Sequence, residues 1–216
     1  RDRCRRRGWP CHGVHRHAPF PSLDMRRVTF PFLLAFLGSA CSQPTVEESE
    51  FFSRLTALCG QAFEGRIVSE DAADDAWRAE RIVMHVRDCS QDEIRIPLHV
   101  GEDRSRTWVL HREDDRLALH HDHRHEDGSP DALTWYGGAR DDRFSGSRLN
   151  FPADAATKTL FDAEGIPQSK ENVWAIEVRP SHTLFAYEMA RPNRFFRIEF
   201  NTSAPVDAPP APWGAD

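Results

Sequence analysis

From about residue 63 onward, apolar and polar residues alternate with a period of two. FEGRIVSE (63–70), ERIVMHVRDC (80–89), EIRIPLHV (93–100), RTWVLHRED (106–114) and RLALHHDH (116–123) carry this pattern, as do ALTWYGG (132–138), RLNFPAD (148–154), NVWAIEVRP (172–180), TLFAYEMAR (183–191) and FFRIEFNTS (195–203). Successive side chains of a strand point to opposite faces, so each segment reads as a half-buried strand. Turn signals such as SQDE, GEDRS, EDGSPD and RPN separate them. One stretch has helical spacing instead. In FFSRLTALCGQAF, Phe51, Phe52, Leu55, Leu58 and Phe63 recur as on one helix face, with Gly60 as a stop. DAADDAWRAE (71–80) and 154–163 allow a further short helix and a turn.

About ten short strands at hairpin spacing leave two exposed edges unless the sheet closes or stacks. The expected fold is therefore mainly β: an antiparallel up-and-down, calycin-like β-barrel, with the short N-terminal helix packed over one end. A two-sheet β-sandwich is the alternative. The Pro-rich tail APVDAPPAPWGAD reads as extended, with Trp213 pinned onto the barrel.

Alternation also sorts the side chains. Ile82, Met84 and Val86 oppose Val83, His85 and Arg87, while Ile94, Ile96, Leu98 and Val100 oppose Arg95 and His99. Trp174, Ile176 and Val178 oppose Glu177 and Arg179; Phe196, Ile198 and Phe200 oppose Arg197 and Glu199. Two readings follow. The mixed faces form the solvated outer wall, or they line a polar cavity. In the second case His85, Arg87, Arg95, His99, Arg179 and Arg197 would bind a small ligand, an anion by the arginine chemistry. A one-residue slip exchanges the faces, so the pattern leaves both open.

The stretch HHDHRHEDG (120–128) holds the most concentrated chemistry. Period two puts His121, His123 and His125 on one face and His120, Asp122 and Arg124 on the other. Neighbouring histidines on one face stand about 6.6 Å apart, so two of them can share a zinc or other transition-metal ion. All three cannot, and a third ligand must come from elsewhere; Glu126, Asp127 and His182 are candidates. If Asp114-Asp115 form a two-residue turn, Trp108 lies opposite His121 and Arg106 opposite His123, and neither is a ligand; a three-residue turn changes the pairing and brings different neighbours. The competing reading is a polar strand end. Asp103, Ser105 and Arg106 read as residues that order a turn. In YGG (136–138) the glycines allow close backbone approach, and Asp154 of FPAD caps a turn containing Thr157. No GxSxG, P-loop, HExxH or GxGxxG occurs, which leaves catalysis without a nameable residue.

Charge and cysteines add location. Charged residues make up 29% of the 216 and the hydrophobic set 39%, enough for one core. Residues 1–40 hold eight arginines against two aspartates, leaving the remainder at −12 against −6 for the whole chain. Such an acidic body disfavours nucleic acid as a partner. MRRVTFPFLLAFLGSAC begins at Met25 with Arg26 and Arg27, followed by a short apolar run and Gly38-Ser39-Ala40. It is too short for a comfortable membrane span and has the layout of a signal peptide. With Cys41 following, it resembles a bacterial lipoprotein signal, although Gly38 stands where that family has a large apolar residue. The resemblance implies lipidation of Cys41 and attachment to the periplasmic side of the envelope, the outer membrane above all. Cleavage after Ala40 with plain secretion is the alternative. The expected organisation is an upstream extension at 1–24, signal at 25–40, tether at 41–50, barrel at 51–204 and tail at 205–216. In an oxidising compartment Cys59 and Cys89 can form a disulfide; two separate buried thiols are the other option.

Taken together, GEDRSRTWVL, HHDHRHEDGS, TWYGG, NFPAD and APPAPWG resemble an uncharacterised family of secreted proteins and lipoproteins of proteobacteria, across roughly 50–213. That resemblance implies location and a shared fold. Three functions are compatible with the whole reading. They are a barrel that binds a small ligand or a partner, a metal-dependent enzyme built on residues 120–127, and a structural envelope protein with a filled core.

Overall fold

A computed structural model describes residues 46–113, 116–179, 181 and 183–215. The expected signal, Cys41, the 1–24 extension and His182 lie outside the described residues. The chain is mainly β and forms a nearly closed antiparallel barrel of ten strands with few helices. The strands are β1 (Ala62–Ile67), β2 (Ile82–His85), β3 (Asp88–Cys89), β4 (Glu93–Val100), β5 (Asp103–Glu113), β6 (Arg116–His123), β7 (Tyr136–Ala139), β8 (Arg148–Pro152), β9 (Val173–Val178), β10 (Phe185–Arg191) and β11 (Arg194–Val206). Around the barrel they run β7-β6-β5-β4-β2-β1-β11-β10-β9-β8, and the two-residue β3 adds to β4. Apart from that short piece, neighbours in space are neighbours in sequence. The one exception is the pairing of the first strand with the last, Ala62 opposite Val206 through Ile67 opposite Ile198.

The seam lies between β7 and β8, where two of the singled-out motifs meet. Asp141 N–H donates to Asn150 O at 2.9 Å, and Asp154 N–H donates to Gly137 O at 3.0 Å. A β-carbon on Gly138 would lie 2.2 Å from Pro152 O, and one on Gly137 would lie 1.8 Å from Leu119 O. Only bare backbone fits there, which is the reason for YGG. Asp154 caps the helix α3 (Ala155–Ala163) by accepting from Thr157 N–H at 2.7 Å. The Thr157 hydroxyl accepts from Gly137 N–H at 2.7 Å and donates to Gly137 O at 2.9 Å. The unpaired backbone at the seam is thus satisfied by a side chain.

The apolar faces turn inward: Phe63, Met84, Ile96, Trp174, Ile198 and Phe200 are all buried in one core. The helix α1 (Val46–Thr56) plugs one end with Phe51, Phe52 and Leu55. It begins inside the segment read as a tether, and Glu48 of that segment is buried. The helix has a polar N-terminal turn, so its sequence resembles a linker until its partners are seen. Cys59 and Cys89 are joined in a disulfide, tying the end of the plug to β3. Closing a loop of 30 residues in this way contributes about 3 kcal/mol. At the other end of the chain, β11 runs on to Val206, past the expected boundary. The tail then folds back against β5: Trp213 N–H donates to Arg104 O at 3.1 Å, and Arg104 donates to Ala211 O at 3.2 Å.

Candidate functional site

The barrel end opposite α1 opens into a cavity of about 290 Å³. The β5–β6 hairpin supplies one wall. Its strands pair Glu113 with Arg116, which puts Trp108 opposite His121 and Arg106 opposite His123, the register of a two-residue turn. Tyr136 comes from β7, Tyr187 and Met189 from β10, Phe196 from β11, and Leu98 from β4. Above them the connection from β1 to β2 folds over the rim. There a 3₁₀ turn (Ala72–Asp74) and the short helix α2 (Asp75–Arg78) present Asp74 and Trp77.

The floor is a slab of rings. Trp108 stacks on Tyr187 at 4.3 Å between centroids, and His121 stacks on Tyr136 at 4.6 Å. His121 is buried and both of its nitrogens are engaged. Nδ1 lies 3.0 Å from Tyr136 O, a carbonyl that can only accept, so Nδ1 carries the proton. Nε2 then accepts from the Tyr187 hydroxyl at 2.7 Å. Burial, with the nearby His123 and His120 as lesser contributors, lowers the His121 pKa to about 3. His123 Nε2 meets the Tyr136 hydroxyl at 3.1 Å; burial and then the Arg106 charge lower its pKa to about 4. Burial likewise pushes both tyrosines up. The floor is therefore uncharged near neutral pH.

The charges sit at the rim in compensated pairs. Arg106 pairs with Asp103 and lies 4.7 Å over the Trp77 ring. Arg194 holds Asp74 with two nitrogens and reaches Asp71 at 3.3 Å. Asp103 also accepts from Ser105 N–H at 2.9 Å, so these three residues do order the turn. The cavity can bind and orient a small molecule by ring contacts and a few neutral polar groups.

The arginines and histidines read as a possible interior set are elsewhere. Inward-facing Met84, Ile96, Ile176 and Ile198 place His85, Arg95, His99, Arg179 and Arg197 on the outer wall, where they line no common interior space. Arg197 is held by Glu177, Glu188 and Glu199, and these carboxylates outweigh burial and raise its pKa. Arg179 pairs with Glu177, Arg95 with Glu93 and Asp122, and Arg87 with Asp88. His99 lies beneath the C-terminal segment near Pro205 and Val206; burial, then Arg104 and His85, lower its pKa to about 4. The His85 pKa is lowered by burial as well.

The histidines expected to offer metal ligands separate along the strand. His121 and His123 share the interior face, but His121 spends both nitrogens on protein partners. His125 lies past the end of β6 in an exposed turn, together with Glu126 and with Asp127, which accepts from Ser129 N–H at 2.9 Å. The residues of the cavity that sequence reasoning missed are Trp77, Tyr136, Tyr187, Met189 and Arg194. They come from four separate segments, and nothing local marks their convergence across the barrel. No family model, curated protein or solved structure matches this chain.

Proposed function

We propose that this protein is an exported binding barrel that takes one small, uncharged, largely aromatic or apolar ligand into its mouth. The observation that carries this reading is the cavity of about 290 Å³, walled by Trp77, Trp108, Tyr136, Tyr187 and Phe196. Its volume is near the lower end of ligand pockets, about 300–1,000 Å³. Neutral His121 and His123 favour a neutral polar group on the ligand over a carboxylate. The rim arginines already have carboxylate partners, which removes the main reason to expect an anion.

An NMR titration with indole tests this. Saturable shifts are expected at Trp77, His123 and Met189, with benzoate weaker than indole. Met189→Trp, which fills the cavity, is expected to abolish them. Absence of saturable binding by indole and phenol would sink the proposal, and tighter binding of benzoate would replace it with an anion site.

Export is supported by the Cys59–Cys89 disulfide, since such bonds persist in oxidising compartments. In this reading Cys41 is lipidated, five residues before α1. The plugged end would then lie toward the membrane and the mouth away from it. Radioactive palmitate is expected to label the bacterially expressed chain and to be lost in Cys41→Ala; label persisting in that variant counts against the anchor.

A further inference from the structure

We propose that His111, Glu113 and His120 form a site for one divalent transition-metal ion, of the zinc class, on the outer wall of the barrel. Among the described residues, this is the one set of three such side chains whose ligand atoms all lie within 4.8 Å of one another. The placement follows from the hairpin register. His111 stands opposite Ala118 and His120 opposite Val109, so the two histidines are diagonal neighbours on the outward face. Glu113 is two residues beyond His111 on that same face.

The geometry suits one ion. His111 Nε2 and His120 Nδ1 are 2.9 Å apart. Two nitrogens at zinc-ligand distance in a tetrahedral site stand about 3.3 Å apart, so the rings need to open by only a few tenths of an ångström. With His120 Nε2 donating toward Asp154, His111 Nε2 donates to His120 Nδ1; a bound ion takes both lone pairs, and the His111 proton moves to its Nδ1. The other nitrogen of His120, Nε2, faces Asp154 at 3.7 Å. A carboxylate behind a ligating imidazole is the usual arrangement that fixes its tautomer. Glu113 is exposed, so solvent completes the coordination. Two imidazoles and a carboxylate suit zinc, copper or nickel rather than calcium or magnesium.

Trp135 is a second, independent observation. It has a positive φ of 56°, a conformation uncommon for a bulky residue. In that conformation its N–H donates to His121 O at 2.7 Å, and its ring stacks on His120 at 5.2 Å and 7°. The ring also lies 5.8 Å from His111 while remaining 46% exposed. The chain thus holds an exposed indole over this histidine pair at a backbone cost.

Zinc titration calorimetry on tag-free, EDTA-treated and desalted protein is the test. One equivalent is expected to bind. His111→Ala and Glu113→Gln, both at sites that are not fully buried, should each weaken binding about tenfold or more. His125→Ala should leave it unchanged, which separates this site from the exposed end of the histidine run. Copper(II) should quench tryptophan emission, and Trp135→Phe should remove most of that quenching. No zinc uptake, or uptake that survives both His111→Ala and Glu113→Gln, overturns the proposal.

Discussion

Replacing Glu48 with alanine is expected to destabilise the protein by about 3–5 kcal/mol, the cost of removing one partner from a buried ion pair. Glu48 is 2% exposed. Oε1 accepts from Leu117 N–H at 2.8 Å, and Oε2 accepts from Arg140 Nε at 3.0 Å. Arg112 reaches the same carboxylate at 3.5 Å. Alanine would leave the Arg140 guanidinium nearly buried without this carboxylate, and the Leu117 N–H without its acceptor. It would also remove the latch that holds α1 over the barrel end. Glu48→Gln keeps an acceptor for Leu117 and should cost less, about 1–3 kcal/mol. Urea unfolding followed by circular dichroism measures both. A loss under about 1 kcal/mol in Glu48→Ala would show that α1 is held by Phe51, Phe52 and Leu55 alone.

Acidification from pH 7 to 4.5 is expected to remove about 2–3 kcal/mol of stability through His121 alone. In the unfolded chain this histidine takes up a proton near pH 6.5; in the barrel burial defers that to about pH 3. Between these values the unfolded state binds more protons than the native state, so stability falls as pH falls, by up to about 1.4 kcal/mol per pH unit. The contribution is fully present above pH 6.5 and is lost progressively toward pH 3. His123 and His99, both lowered to about 4, act in the same direction. Burial opposes this, but hydrogen bonds and arginine partners hold Asp103 and Glu177 low, so they add losses where unfolded carboxylates protonate, at and below the lower end of this range. His121→Phe should lower stability at pH 7, because the Tyr187 hydroxyl loses its acceptor and Tyr136 O its donor. Its decisive effect is on slope: unfolding midpoints measured from pH 7 to 4.5 should fall less steeply than in the parent. Parallel slopes would show that His121 is not the group that titrates.

Much of the barrel was legible because one-sided burial of a strand writes itself into the sequence as alternation. The hairpin register was legible only as one of two options, set by whether the turn has two residues or three. A two-residue Asp114-Asp115 connection requires Trp108 opposite His121 and Arg106 opposite His123, and that pairing is observed. The same register already contained the outward pair of His111 and His120. The run of adjacent histidines does not display this pair, since the proposed ligand set joins two strands instead of following one. Glu48 was illegible for a related reason. Its partners lie 64, 69 and 92 residues away, so a polar turn before a helix read as a tether.

What the sequence determined by itself was therefore what near neighbours fix: the strands, the plug helix, and the division of each strand into two faces. Which face lies inside was decided only when the sheet closed. Closure gave the inner volume to the more apolar faces, because an arginine enclosed there would need a partner to offset its desolvation. That sent His85, Arg95, His99, Arg179 and Arg197 outward. It also brought Tyr136, Tyr187, Trp77 and Phe196 together around His121. A cavity is a property of side chains that meet across a barrel, and local alternation specifies the direction of each one without specifying what it meets.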